Sequence, residues 1–132
     1  MNDIFKIPVR VYYEDTDAEG IVYYANYLKF AERARAEFLR AHKLPLEILK
    51  DGDRCAFVAR HAEIDYKQSA LLDDVLTVSC EVTDVKNSSA VIYQEVKRDD
   101  VVLCALTITL VFININRHRP TKIPDDMRAA LH

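Results

Sequence analysis

Two acidic residues, Asp15 and Asp17, stand one residue apart in the segment YYEDTDAEGIVYYANYL. Gly20 and the aromatic pair Tyr23 and Tyr24 follow them, just before a helical pattern begins. A carboxylate can attack a carbonyl carbon or activate a water molecule. Free backbone amides at a helix start can stabilise the oxyanion that then forms. The segment is therefore compatible with hydrolysis of an ester-like bond, and also with a metal loop or a plain turn with helix-capping acids.

Metal binding is the weaker of these interpretations. Asp15, Asp17, Glu19 and Gly20 have the spacing of the first ligands of a calcium loop, but Asn26 stands where a bidentate glutamate is required. The segment before Asp15 also reads as a strand, whereas a calcium loop of this kind follows a helix. The histidines are scattered and the cysteines show no metal-ligand spacing. We expect no metal site and no cofactor.

Hydrophobic periodicity predicts one long helix and five strands. Apolar residues recur at spacings of three and four from residue 26 to residue 41, which is typical of a helix with one buried face. Alternating or continuous apolar segments predict strands at residues 5–13, 55–66, 76–82, 89–97 and 101–114.

Two of the predicted strands have a predictable place in the sheet. Pro8 lacks a backbone N–H and therefore places the first strand near an edge. The last strand is apolar on both faces and is expected at the centre of the sheet or in a subunit interface. One helix cannot cover both faces of a five-stranded sheet, so we expect dimerisation through the bare face.

Composition excludes several classes of function. The chain has 132 residues, which suits a single domain over residues 1–132. A net charge of −3 gives no field that would attract nucleic acid, and no apolar run is long enough for membrane insertion or a secretion signal. The three cysteines, Cys55, Cys80 and Cys104, lie in apolar patterns typical of buried thiols in a reducing compartment. We expect a cytoplasmic protein.

The run VRVYYEDTDAEGIVYYANYLKFAERARAEFLR closely resembles the hotdog-fold acyl-CoA thioesterases of the 4-hydroxybenzoyl-CoA thioesterase and YbgC type. The YbgC type is tied to the Tol–Pal cell-envelope system. The resemblance continues in AFV at residues 56–58 and in L-x-D at residues 72–74. It implies an α+β hotdog fold, in which an antiparallel five-stranded sheet wraps around one long helix. It also implies a homodimer or homotetramer.

By the same resemblance, the chain would hydrolyse the thioester of small acyl-CoAs, short-chain or aromatic, to a free acid and CoA. Asp17 would act as nucleophile or general base, and a backbone amide near Tyr24 would hold the oxyanion, while Asp15 would shape the turn. Asn26 would cap the helix or support the site. The expected substrate-binding residues are Gly20, Val22, Tyr23, Asn26, Arg60 and Lys67.

The chain departs from the family pattern at two places. Many YbgC-type members carry histidine at the position of Tyr24; this chain has tyrosine there, as the 4-hydroxybenzoyl-CoA branch does. The segment YKQSALLDD has Ser69 and Leu71 where the family usually has proline and arginine. Lys67 is the candidate to replace that arginine at a CoA phosphate, with Arg60 as a further candidate.

Two other functions remain open from the sequence. A non-catalytic protein of this type would bind acyl-CoA or acyl carrier protein, or would serve as an envelope-associated scaffold. A dehydratase of the same fold would require a histidine that faces an acid, and His61 is the one candidate, although no pattern places it near Asp17.

Overall fold

Antiparallel strands form a curved sheet around one long helix in the computed structural model, which describes residues 4–132. Within these residues the sheet has seven strands in the order β1-β4-β5-β6-β3-β2, and β7 pairs with the end of β6. The strands are β1 (Phe5–Arg10), β2 (Glu47–Lys50), β3 (Asp53–Tyr66), β4 (Val75–Val85), β5 (Ser89–Arg98), β6 (Val101–Asn114) and β7 (Arg119–Pro120).

The predicted hotdog arrangement is confirmed, with two short strands beyond the expected five. The additional strands β2 and β7 have four and two residues, too few to show a period in the sequence. The first strand ends at Arg10, before the predicted end at residue 13, because the chain turns into a short 3₁₀ helix at Tyr13–Asp15.

The helix α1 (Asn26–Ala41) has the bounds that the periodicity predicts. Its buried side packs mainly against β4 and β1 and carries Phe30, Ala31 and Ala34, which are fully buried. The two alanines allow the sheet to approach the helix axis closely. A second helix, α2 (Asp125–Leu131), was not predicted; it packs against β4 through Met127 and Leu131. Neither α1 nor α2 is long and apolar enough to cross a membrane.

One polar side chain, Gln94 of β5, is completely buried in the otherwise apolar core. Its amide nitrogen donates hydrogen bonds to the carbonyl oxygens of Ala31 at 3.0 Å and Ser79 at 3.1 Å. Its amide oxygen accepts a hydrogen bond of 2.9 Å from the guanidinium of Arg35, and burial lowers the pKa of that guanidinium. Gln94 therefore joins α1 to β4 and β5 through satisfied hydrogen bonds.

The strands β1 and β6 lie at the places in the sheet that the sequence predicts. β6 lies between β3 and β5, which explains its apolar residues on both faces, and β1 with Pro8 lies at an edge.

The strand β3 has a long free edge. On one side β3 pairs with β6 along almost its full length. On the other side it pairs with β2, and only through residues 53–56. No other strand of residues 4–132 pairs with that second edge, and residues 58–63 are all exposed. An exposed strand edge of this length offers unpaired backbone groups to another chain.

Candidate active site

The acidic segment folds into a tight hairpin. The backbone N–H of Asp17 donates to the carbonyl of Ile21 and that of Tyr23 donates to the carbonyl of Asp15, both at 2.9 Å. Gly20 closes the turn with φ +78°, and its N–H donates to the carbonyl of Asp17 at 3.1 Å. A Cβ atom at Gly20 would meet nothing within 4 Å, so the glycine is required for the left-handed backbone conformation.

The segment that precedes β4 holds this hairpin from its other side. Val22 donates its backbone N–H to the carbonyl of Ala70 at 2.9 Å, and Leu72 donates to the carbonyl of Gly20 at 3.1 Å. The hydroxyl of Tyr27 in α1 accepts a further hydrogen bond of 3.0 Å from the N–H of Ala70. The hairpin is thus connected to α1 through backbone hydrogen bonds to residues 70–72 and through the buried hydroxyl of Tyr27.

The carboxylate of Asp17 projects into solvent at the start of the hairpin turn. One oxygen, Oδ1, accepts a hydrogen bond of 2.9 Å from the N–H of Glu19. The other oxygen, Oδ2, has no hydrogen-bond donor among residues 4–132. One oxygen is therefore oriented by the turn while the second can meet a water molecule or a substrate.

The two residues that lead from the hairpin into α1 present free backbone amides. Within the part of the chain that the structure describes, the N–H groups of Tyr24 and Ala25 have no hydrogen-bond acceptor. Ala25 occupies the position before the first helical residue and offers no side-chain cap. Unpaired amides at a helix start, with the positive end of the helix dipole, can stabilise negative charge.

Asn26 does not cap α1, contrary to one of the two roles considered for it. It is the first helical residue, 7% exposed, and its side-chain amide donates a hydrogen bond of 2.9 Å to Oδ1 of Asp15. Val22 is also buried, with 4% of its surface exposed. Direct substrate contact at Val22 and Asn26 remains a prediction.

Asp15 lies buried beneath the hairpin, whereas Asp17 is exposed. Only 7% of Asp15 is exposed, and its Oδ2 accepts a hydrogen bond of 2.9 Å from the N–H of Tyr12. The two acids that look equivalent in the sequence therefore have different environments. Asp15 is used in internal hydrogen bonds and Asp17 is available for chemistry.

Tyr66, at the end of β3, joins the site although the sequence analysis did not include it. Its hydroxyl donates a hydrogen bond of 3.2 Å to the carbonyl of Tyr24, and its ring meets that of Tyr24 edge to face at 6.2 Å between centroids. Tyr23 packs against Tyr24 at 4.8 Å, and all three rings are at least 45% exposed. Partial burial raises the pKa of Tyr66, so its hydroxyl stays protonated as a donor.

The two basic residues predicted to bind substrate both belong to the β3 region. Lys67 follows Tyr66 and forms an exposed ion pair with Asp65 at 3.3 Å. Arg60 lies at an irregularity of β3, six residues before Tyr66, which corresponds to roughly 20 Å along a strand. Lys67 is thus next to the aromatic cluster of its own chain, while Arg60 is distant from it.

His61 contacts an acid on its own strand. Its Nε2 lies 3.4 Å from Glu63, and both side chains are exposed. Within residues 4–132, no group of three His, Cys, Asp or Glu side chains could hold a metal ion.

Comparison with known proteins gives consistent similarities over most of the chain. The family model of the thioesterase-like superfamily matches residues 11–131. The acyl-CoA thioesterase YbgC of Haemophilus influenzae is 41% identical over 128 residues, which are 97% of this chain and 94% of that protein. A probable thioesterase from Bartonella henselae superposes with a TM-score of 0.85 at 31% identity, covering 93% of this chain and 99% of that one. The gentisyl-coenzyme A thioesterase BH1999 superposes with a TM-score of 0.84 at 25% identity, covering 96% and 99% of the two chains.

Proposed function

Because the chain belongs to the thioesterase-like superfamily and is a thioester hydrolase, we propose that it hydrolyses acyl-CoA to a free acid and CoA. The observation that carries the proposal is that an exposed Asp17 carboxylate and the unpaired N–H of Tyr24 lie in the same hairpin-to-helix segment. A carboxylate and an oxyanion donor are the two groups that cleavage of a thioester requires.

In the proposed reaction, the thioester carbonyl oxygen accepts a hydrogen bond from the N–H of Tyr24. Asp17 acts in one of two ways: it takes a proton from the attacking water, or its own oxygen attacks the carbonyl carbon to form an anhydride that water then hydrolyses. In either case the oxyanion collapses, the C–S bond breaks and the sulfur leaves as the thiolate of CoA, which takes up a proton. The backbone amide stabilises the oxyanion without moving, because the hairpin and the helix already fix it.

The acyl group in this proposal is small, either short-chain or aromatic. Tyr27, with 3% exposure, and Phe30, with none, fill the core beneath the first turns of α1, which favours a small acyl group at this end of the helix. The exposed rings of Tyr23, Tyr24 and Tyr66 offer an aromatic surface next to the reacting carbonyl. Gly20 leaves open space where a side chain would begin, which suits close approach by the substrate.

Lys67 and Arg60 are the proposed contacts for the CoA phosphates. Lys67 is exposed, and its ion pair with Asp65 at 3.3 Å is a surface pair that contributes little, so exchange for a phosphate costs little. Arg60 is distant from Tyr24 of its own chain, but it lies on the free edge of β3 where a second copy would pair.

We place the active form in a homodimer or homotetramer in the cytoplasm, built on one hotdog domain. Support for the assembly comes from the free edge of β3, because pairing of two such edges would satisfy the backbone groups of residues 57–66 in both copies. Acyl carrier protein is a further proposed thioester donor.

The experiment measures release of free thiol from short-chain, long-chain and aromatic acyl-CoAs by wild type and by Asp17→Asn. We expect turnover by wild type and a decrease of about 10²-fold or more in kcat for Asp17→Asn, the scale of general-base loss. Glu14→Gln removes a neighbouring exposed carboxylate and serves as the matched control, with unchanged kcat. The preferred acyl-CoA in the panel identifies the substrate.

The alternative is a binding protein. Folded wild type that binds acyl-CoA or acyl carrier protein without turnover would contradict hydrolysis and support this role.

A further inference from the structure

The buried carboxylate of Asp15 is hydrogen-bonded to Asn26 at the start of α1. Asp17 is two residues from Asp15 along the chain, and Tyr24 is two residues from Asn26. Asp15 and Asn26 form one hydrogen-bonded pair. The sequence separates these partners by 11 residues, so the pair exists only in the folded chain.

Both carboxylate oxygens and the backbone carbonyl of Asp15 accept hydrogen bonds. Its Oδ2 accepts the N–H of Tyr12, its Oδ1 accepts the amide of Asn26, and its backbone carbonyl accepts the N–H of Tyr23, each at 2.9 Å. Burial of a carboxylate is costly unless such hydrogen bonds satisfy it. Asp15 therefore joins the end of the first strand, the hairpin and the first turn of α1 at one point.

We propose that Asp15 is a positioning residue, which holds the N–H of Tyr24 at a fixed distance from the carboxylate of Asp17 through its hydrogen bond to Asn26. This inference rests on the thioester hydrolysis proposed above. Misplacement of a reacting group by about 1 Å can reduce a rate by about 10²-fold, so a rigid connection between the Asp17 carboxylate and the oxyanion donor affects kcat directly.

A merely structural pair would behave differently from a positioning pair. Loss of a structural contact lowers the thermal midpoint and leaves kcat of the remaining folded protein unchanged. Loss of a positioning contact lowers kcat at temperatures where the variant is fully folded, with little change in KM. The two roles are therefore separated by kcat and KM measured well below the thermal midpoint of each variant.

The decisive variants exchange the amide and the carboxylate. Asn26→Asp alone places two carboxylates against each other at a distance of 2.9 Å, and their repulsion should open the contact. In the double variant Asp15→Asn/Asn26→Asp, the amide at position 15 can donate to the carboxylate at position 26. Its oxygen still accepts the N–H of Tyr12, so both hydrogen bonds return and only the one between positions 15 and 26 has its donor and acceptor exchanged.

At neutral pH we expect Asn26→Asp to lower kcat by roughly 10- to 100-fold, with KM within about threefold of wild type. The double variant should recover most of this loss. Leu131→Ala, a truncation in α2 away from the site, is the control for stability and should lower the thermal midpoint without lowering kcat. An unchanged kcat in Asn26→Asp, or a double variant no better than Asn26→Asp, would overturn the proposal.

Two further measurements keep the test independent of folding and of the proposed function. If Asn26→Asp fails to fold, Asn26→Ala removes the donor without adding a charge and should lower kcat about three- to tenfold. The Tyr12 N–H donates to the other oxygen of Asp15, so its hydrogen exchange, followed by NMR, reports the placement of this carboxylate without any substrate. We expect protection in wild type, loss in Asn26→Asp and recovery in the double variant. Wild type without turnover but with this exchange pattern would refute hydrolysis and still establish the contact.

Discussion

The hydroxyl of Tyr66 donates a hydrogen bond of 3.2 Å to the carbonyl of Tyr24, across 42 residues of sequence. This contact ties the end of β3 to the first turn of α1, directly after the amide assigned to the oxyanion. Because β3 also carries the free edge, the contact connects the proposed dimer interface to the proposed active site.

Tyr66→Phe should therefore reduce activity without unfolding the protein. The ring contacts remain, and loss of one partly exposed hydrogen bond costs about 1 kcal/mol or less. We expect kcat/KM to fall by roughly two- to fivefold, in line with that free energy. The matched control is Tyr93→Phe, which removes a hydroxyl that donates to Glu95 on β5 at 2.9 Å and should leave kcat/KM unchanged. Equal losses in the two variants would contradict a role for Tyr66 at the site.

Gly20→Ala should damage the site through the backbone. Gly20 has φ +78° and Gly52 has φ +82°, and a Cβ at either position would meet nothing within 4 Å. Alanine in this conformation costs about 1–2 kcal/mol at each position. We expect Gly20→Ala and Gly52→Ala to lose similar stability in chemical denaturation, but only Gly20→Ala to lower kcat, because its turn holds Asp17. A lower kcat in Gly52→Ala would attribute the effect to general destabilisation.

The three cysteines should not react with thiol reagents in the native protein. Cys55, Cys80 and Cys104 are at most 2% exposed, and burial raises the pKa of Cys80 and of Cys104 to about 12. We expect no reaction with Ellman's reagent at pH 8 and full reaction of the three thiols in guanidinium chloride. This outcome also makes released CoA the sole source of signal in a thiol-based assay. Rapid reaction of native protein would show that the core opens easily.

Val58→Lys should disrupt the proposed dimer. Val58 is 39% exposed on the part of β3 that has no partner strand among residues 4–132, so two copies paired there would bring the introduced charges together. Val101→Lys, at a position 44% exposed at the start of β6, is the control. We expect light scattering to give the mass of a monomer for Val58→Lys and that of the wild-type assembly for Val101→Lys. Monomeric Val101→Lys with dimeric Val58→Lys would place the interface on the sheet face instead.

Local patterns in the sequence were sufficient to predict most of the helices and strands. The helix at residues 26–41 and the central place of β6 follow from periodicity alone, because each reflects burial of neighbouring positions. The short strands β2 and β7 and the helix α2 were missed because their segments are too short to show a period.

The candidate site was only partly predictable. The motif resemblance singled out Asp17 and Tyr24, and the structure places them in one hairpin-to-helix segment, while their catalytic roles stay predictions. The pairs of Asp15 with Asn26 and of Tyr24 with Tyr66 were missed because each depends on how distant segments meet. The available signal for the first pair was an asparagine, Asn26, four residues before Phe30 and therefore on the apolar side of the predicted helix.

Gln94 has a consequence for the axial register of α1. Apolar packing is non-directional, so a helix that contacted only apolar side chains of the sheet could slide or rotate with little loss of free energy. The hydrogen bonds of Gln94 to Ala31 and Arg35 are directional, and a shift by one turn would break both and leave the buried amide with its bond to Ser79 alone. The register set in the middle of the helix therefore determines where its first turn, with the N–H of Tyr24, meets the hairpin.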